Sequence, residues 1–216
     1  YTNEILHKEQ AKAFPKPKIF QEIVTNTLIN YYSDVKNPVV IDKCRAWPAH
    51  IDIMKKYVTD NPKIICTVRH PLDILASFIT LFHKDNTYNF IDRAMTEQKI
   101  PITDDNRCHY MMNPGGIVWE SMNALATAFR QKETQYIHFI QYDDLVSNPR
   151  LVMQNLHGYL RLDSFNYDYD NITQKDREKD AEVYGLPTMH EVRKSINKIS
   201  KPYSEVLSTD VINKYI

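Results

Sequence analysis

The chain has 216 residues, 43% of them hydrophobic, and its 27 basic side chains are balanced by 27 acidic ones. That length supports one ordinary domain core, and the charge balance excludes a broad nucleic-acid-binding surface, so any anion site is local. No apolar run approaches the roughly 18 residues needed to cross a bilayer, and an anchor upstream of Tyr1 is left open.

From the front, Ala11 to Lys18 reads as a Pro- and Lys-containing loop, and Ile19 to Tyr32 has helical spacing through Ile23, Val24, Leu28 and Tyr31. Val39-Val40-Ile41, followed by Asp42 and Lys43, predicts a buried strand that ends in a cation. His50 to Tyr57 predicts a helix. Lys63 to Val68 is apolar or β-branched and too short for a helix, which predicts a buried parallel strand stopping at Arg69. Together these make a βαβ unit, expected to be right-handed. Cys66 in the second strand is expected to be a packed free thiol. With Cys44 and Cys108 widely spaced and no CxxC present, a reducing, cytoplasmic compartment is the simpler expectation.

Pro71 suits a first helical position, and Asp73 places a negative charge in the first turn, where the helix dipole favours it. Leu72, Leu75, Ile79 and Phe82 then form one apolar stripe, widened by Ile74, Phe78 and Leu81. Ser77 interrupts this helix on the same strand-turn-helix unit as Arg69. A strand end with a cation, opening into a helix, is where open α/β sheets hold anions. On the residues alone, the pair fits a phosphate cradle and fits equally a structural ion pair with a serine bonded back to its own helix.

Lys84 to Gly116 reads as polar and irregular, with Asp104 to Arg107 as a surface loop and the whole as a lid, a partner surface or disorder. Trp119, Met122, Ala126 and Phe129 form a helical stripe expected to be core. Tyr136 to Gln141 alternates as a strand. In Asp163 to Asp180, rich in Asp, Asn and Tyr, most charges are expected in solvent, and the spacing is not that of an EF-hand.

The segment Arg69-His-Pro-Leu-Asp-Ile-Leu-Ala-Ser77-Phe resembles the 3′-phosphate-binding signature of sulfotransferases that use 3′-phosphoadenosine 5′-phosphosulfate (PAPS). Three more segments follow in that family's order. Val39 to Lys43 resembles the strand whose terminal Lys faces the transferring sulfonate. Tyr142-Asp-Asp-Leu-Val-Ser-Asn-Pro149 resembles the Tyr-Glu-Asp-Leu segment before a packed helix. Arg193-Lys194, before Ser195, resembles the Arg-Lys-Gly of a late loop gripping the 3′-phosphate, with Ser in place of Gly.

The resemblance implies a three-layer α/β/α fold with a central, mostly parallel sheet of P-loop-like type, formed by residues 1–216 as a single domain. It implies PAPS as sulfonate donor, a hydroxyl or amine as acceptor, and no metal. Arg69, Ser77, Arg193 and Lys194 are the implied nucleotide-binding residues and Lys43 the catalytic cation. The base is open. Cytosolic members carry a His two residues after the strand Lys, where this chain has Arg45, so His50 and Glu4 are the candidates.

The family's Gly-containing phosphosulfate loop is not matched. All four glycines, Gly115, Gly116, Gly158 and Gly185, fall in the second half, so no earlier residue supplies the unrestricted backbone such a cradle uses. The first strand and its loop are therefore expected upstream of Tyr1. Two other readings compete. A kinase of P-loop architecture would use Asp42 for magnesium, and a non-catalytic protein would bind 3′-phosphoadenosine 5′-phosphate (PAP) without turnover. The acceptor, whether small molecule, glycan, lipid or protein tyrosine, and the oligomeric state are left open.

Overall fold

Two parallel strands carry the site, and helices pack around them. The computed structural model describes residues 13–175, 177–197 and 201–216. Strand β1 (Ile64–Val68) pairs in parallel with β2 (Ile137–Gln141), Ile64 opposite Ile137 and Val68 opposite Gln141. Both strands were predicted where they occur. Among the described residues the sheet has these two strands, so the fold is mixed α/β with a small parallel sheet.

Helix α1 (Pro17–Tyr31) comes first, and a 3₁₀ turn (Trp47–His50) leads into α2 (Ile51–Tyr57). Between them, the strand expected at Val39 to Lys43 is absent: the segment is irregular, with Ile41 70% exposed. β-branched residues favour a strand only where a neighbouring strand completes the ladder, and none lies alongside among the described residues. The predicted βαβ unit is replaced by one running from β1 to β2.

That crossover starts with α3 (Pro71–Asp85). Pro71 occupies the first turn, His70 Nδ1 accepts from the Leu72 amide at 3.3 Å, and Asn86 closes the helix in the left-handed conformation. Leu72, Leu75, Ile79 and Phe82 are buried, as the stripe predicts. The stretch expected to be irregular then folds into α4 (Phe90–Glu97) and α5 (Asp104–Met112). Its polar look comes from caps and an internal ion pair. Asn89 and Thr103 are N-caps, Ile91, Met95, Cys108 and Met111 enter the core, and Arg107 grips buried Asp92.

Helix α6 (Ile117–Arg130) buries Val118, Ala124 and Ala128, while Met122 and Phe129 of the expected core stripe are exposed. Small residues on that face admit the 3₁₀ turn closely, and Ala128 joins Ile51, Ile64 and Ile137 in a second apolar cluster. After β2 come α7 (Tyr142–Ser147) and α8 (Pro149–Leu160), with Asn148 capping α8. The remainder is largely irregular, containing α9 (Asp180–Val183) and α10 (Thr209–Tyr215), with Leu186, Leu207 and Val211 completing the main core. No described helix is long and apolar enough to cross a membrane.

Candidate functional site

Because Val68 faces Gln141 across the ladder, the residues that follow them emerge side by side at the carboxyl end of the sheet. The Arg69 guanidinium carbon lies 4.3 Å from the centre of the Tyr142 ring. The ring face attracts the cation and restricts where the guanidinium can point. Eight residues after Arg69, in the second turn of α3, Ser77 is exposed, and its hydroxyl makes no hydrogen bond among the described residues. Thr80 on the same helix behaves oppositely, its Oγ1 donating to the Ala76 carbonyl at 2.8 Å. The back-bonded serine that competed with the phosphate-cradle reading is therefore not what the helix contains.

Arg69 and Ser77 line one cavity of about 360 Å³, together with Arg45 and His190 and with apolar walls that include Phe78 and Met189. That volume is within the range of small-molecule sites. Two arginines and a serine hydroxyl supply donors without an accompanying acidic lining residue, which suits an anion. Arg45, considered in the sequence only as a residue unable to act as a base, contributes the second cation.

Behind His190 lies a chain of charges. Lys43 Nζ pairs with Glu178 Oε1, and Glu178 Oε2 is 3.2 Å from His190 Nδ1. His190 Nδ1 is 2.7 Å from Asp180 Oδ1, and the His190 amide donates to Asp180 Oδ2 at 2.8 Å. Asp180 is 6% exposed, the exception in a segment whose other described charged residues are exposed, as expected. Its burial alone would raise the carboxyl pKa, but the side-chain and backbone hydrogen bonds from His190 outweigh that and hold it below the usual carboxylate range. Glu178, Asp180 and His190 place three donor atoms within 4.8 Å of one another, yet both Asp180 oxygens are engaged by His190, so the group is a hydrogen-bonded pair with a neighbouring carboxylate.

Lys43 thus reaches the cavity through Glu178 and His190, although it does not line it. His50 is exposed at the end of the 3₁₀ turn and is not among the lining residues, and Glu4 lies outside the described residues. Arg193 and Lys194 are exposed and also absent from the lining. Their irregular stretch is tied to the polar segment, with the Ile172 amide donating to Lys194 O at 2.7 Å and the Ile196 amide to Tyr169 O at 3.2 Å. Asp42, the carboxylate a kinase would need for magnesium, accepts from Tyr32 Oη and, at 2.7 Å, from Trp47 Nε1. The Tyr32 phenol is correspondingly pushed up to about 12, first by its hydrogen bond to Asp42.

Nothing in the sequence singles out His190 or Asp180. They lie ten residues apart in a segment without regular periodicity, and the only pointer was the unusual density of Asp before Gly185. In comparison with known proteins, a family model described as "Sulfotransferase family" matches residues 5–166. No curated protein and no solved structure gives a significant match.

Proposed function

The chain belongs to the sulfotransferase family, and from that premise we propose that it transfers a sulfonate from PAPS to a hydroxyl or amine acceptor and releases PAP. The convergence of Arg69, Ser77 and Arg45 on one cavity carries this reading. Arg69 and Ser77 hold the 3′-phosphate, the guanidinium braced by Tyr142 and the hydroxyl uncommitted to its helix. Arg193 and Lys194 close on the same phosphate from the late segment. Under this reading the two strands belong to a larger, mostly parallel sheet in a three-layer α/β/α domain, and residues 1–216 form one domain.

Transfer builds negative charge on the sulfonate oxygens and on the leaving phosphate, so fixed cations lower the barrier. Lys43 is the cation for the transferring group. Its contact with Glu178 is an exposed pair, with the Lys43 side chain 68% exposed. Such pairs are worth about 0 to 1 kcal/mol, little against a phosphosulfate carrying several charges. Lys43→Ala is expected to lower turnover by about 10²-fold or more with nucleotide affinity nearly intact.

The test is calorimetry of the full-length protein with PAP and with adenosine 5′-phosphate. PAP should bind more tightly, and Arg69→Ala should remove roughly 10- to 150-fold of its affinity, the loss of one charge-assisted hydrogen bond. Equal affinity for the two nucleotides would sink the proposal.

A further inference from the structure

His190 is the cavity-lining side chain whose ring nitrogen can act as a base, since the guanidinium groups of Arg45 and Arg69 cannot serve as bases and Ser77 is a hydroxyl. Its geometry is that of an oriented base. Asp180 is buried and, as a carboxylate, can only accept, so the 2.7 Å contact places the ring proton on Nδ1. In the neutral ring Nε2 then carries the lone pair, and it has no hydrogen-bond partner among the described residues. The second hydrogen bond, from the His190 amide to the other Asp180 oxygen, fixes carboxylate and ring relative to one backbone. The charged and titratable groups facing the ring are Asp180 and Glu178 on the Nδ1 side, Arg45 and Arg69 across the cavity, Lys43 beyond Glu178, and Tyr184, whose ring centre is 5.5 Å away.

From this arrangement we infer that His190 Nε2 is the catalytic proton acceptor and that Asp180 is its positioning residue. The inference rests on the sulfotransferase reading. As the acceptor oxygen or nitrogen forms its bond to sulfur, its proton passes to Nε2. The bond between sulfur and the bridging phosphate oxygen breaks, and that electron pair leaves on the 5′-phosphate of PAP. The imidazolium so formed sits against Asp180 and Glu178, which stabilise its charge until the proton is lost to solvent. His50 and Glu4, the bases considered from sequence, are thereby displaced from that role.

The experiment uses the full-length protein, with PAPS as donor and water as acceptor, reading sulfate release, and with PAP affinity measured by calorimetry in the same preparations. His190→Gln should keep PAP affinity within about threefold while sulfate release falls roughly 10²- to 10⁴-fold, and the acid limb of the rate profile should vanish. Asp180→Asn should lower kcat without changing KM and should shift that limb. Long-range proton–nitrogen NMR of the wild-type protein should show His190 as the Nδ1–H tautomer, with Nε2 responding to added PAP. Failure of the wild type to bind PAP refutes the sulfotransferase reading itself. Retained PAP binding overturns this inference alone if the wild type releases no sulfate, if His190→Gln keeps rate or acid limb, if His50→Asn has the effect expected of His190→Gln, or if the ring proton resides on Nε2.

Discussion

Ser77→Ala separates ligand binding from stability more cleanly than any other change in this site. The Ser77 hydroxyl is exposed and makes no hydrogen bond among the described residues, so removing it breaks nothing in the unliganded protein. Alanine is also the better residue inside α3, by at most about 0.7 kcal/mol. The melting temperature should therefore hold or rise by a degree or two. Against a phosphate oxygen the same hydroxyl would supply a charge-assisted hydrogen bond, worth about 1.5 to 3 kcal/mol. PAP affinity should thus drop by roughly 10- to 150-fold, while affinity for adenosine 5′-phosphate, which lacks the 3′ group, stays level. Calorimetry with the two nucleotides, run beside a thermal melt, decides the matter. A melting temperature lowered by several degrees would show that Ser77 is structural. Equal losses for both nucleotides would show that it does not read the 3′-phosphate.

Three further outcomes are expected. Asp92 is 3% exposed and receives Arg107 Nε and Nη2 at 2.8 Å each, while Arg107 Nη1 reaches Asp104 at 2.8 Å, so Asp92→Asn, which removes the buried one of the two carboxylates on this guanidinium, should cost about 1.5 to 3 kcal/mol in denaturant unfolding, and a loss under 1 kcal/mol would refute the pair's importance. A Cβ on Gly116 would sit 2.3 Å from the Tyr110 carbonyl oxygen and 2.5 Å from that of Met111, so Gly116→Ala should destabilise by about 1 to 3 kcal/mol; Gly158→Ala, with nothing within 4 Å, should stabilise α8 by up to about 1 kcal/mol, and similar effects at the two sites would contradict the packing. Asp180 has a lowered pKa in the fold, so its contribution is complete above the ordinary aspartate value of about 3.9 and is lost as pH falls through the lower folded value; the stability gap between wild type and Asp180→Asn should narrow below about pH 4, and a gap constant from pH 7 to pH 3 would disprove the linkage.

The parts of the fold that were legible are those whose signal is local. Pro71, the buried stripe of α3 and the short β-branched run before Arg69 each determine their own conformation, and β1 and α3 appear where those signals place them. Helices α4 and α5 were missed because their caps and the Asp92–Arg107 pair resemble loop composition, although Asn89 and Thr103 stand where caps belong. Val39 to Ile41 looks like a strand because its residues favour one, but pairing is a property of the neighbour and not of the run itself. In the site, Arg69 and Ser77 were visible through their spacing on one strand-turn-helix unit. Arg45 and His190 reach the same cavity from irregular segments far apart in sequence, and such a meeting leaves no periodic trace.

The cavity draws on two kinds of scaffold. Arg69 and Ser77 stand on a hydrogen-bonded strand and a helix anchored in the main core, whereas Arg45, Lys43, Glu178 and His190 stand on irregular stretches held by few backbone hydrogen bonds. Segments of the second kind open at lower free energy than core elements. Under the proposed reading, as denaturant or temperature is raised, reactivity should therefore disappear before the part of the nucleotide grip made by Arg69 and Ser77 does, and the chain should pass through a window in which it still captures its donor, more weakly, but no longer spends it.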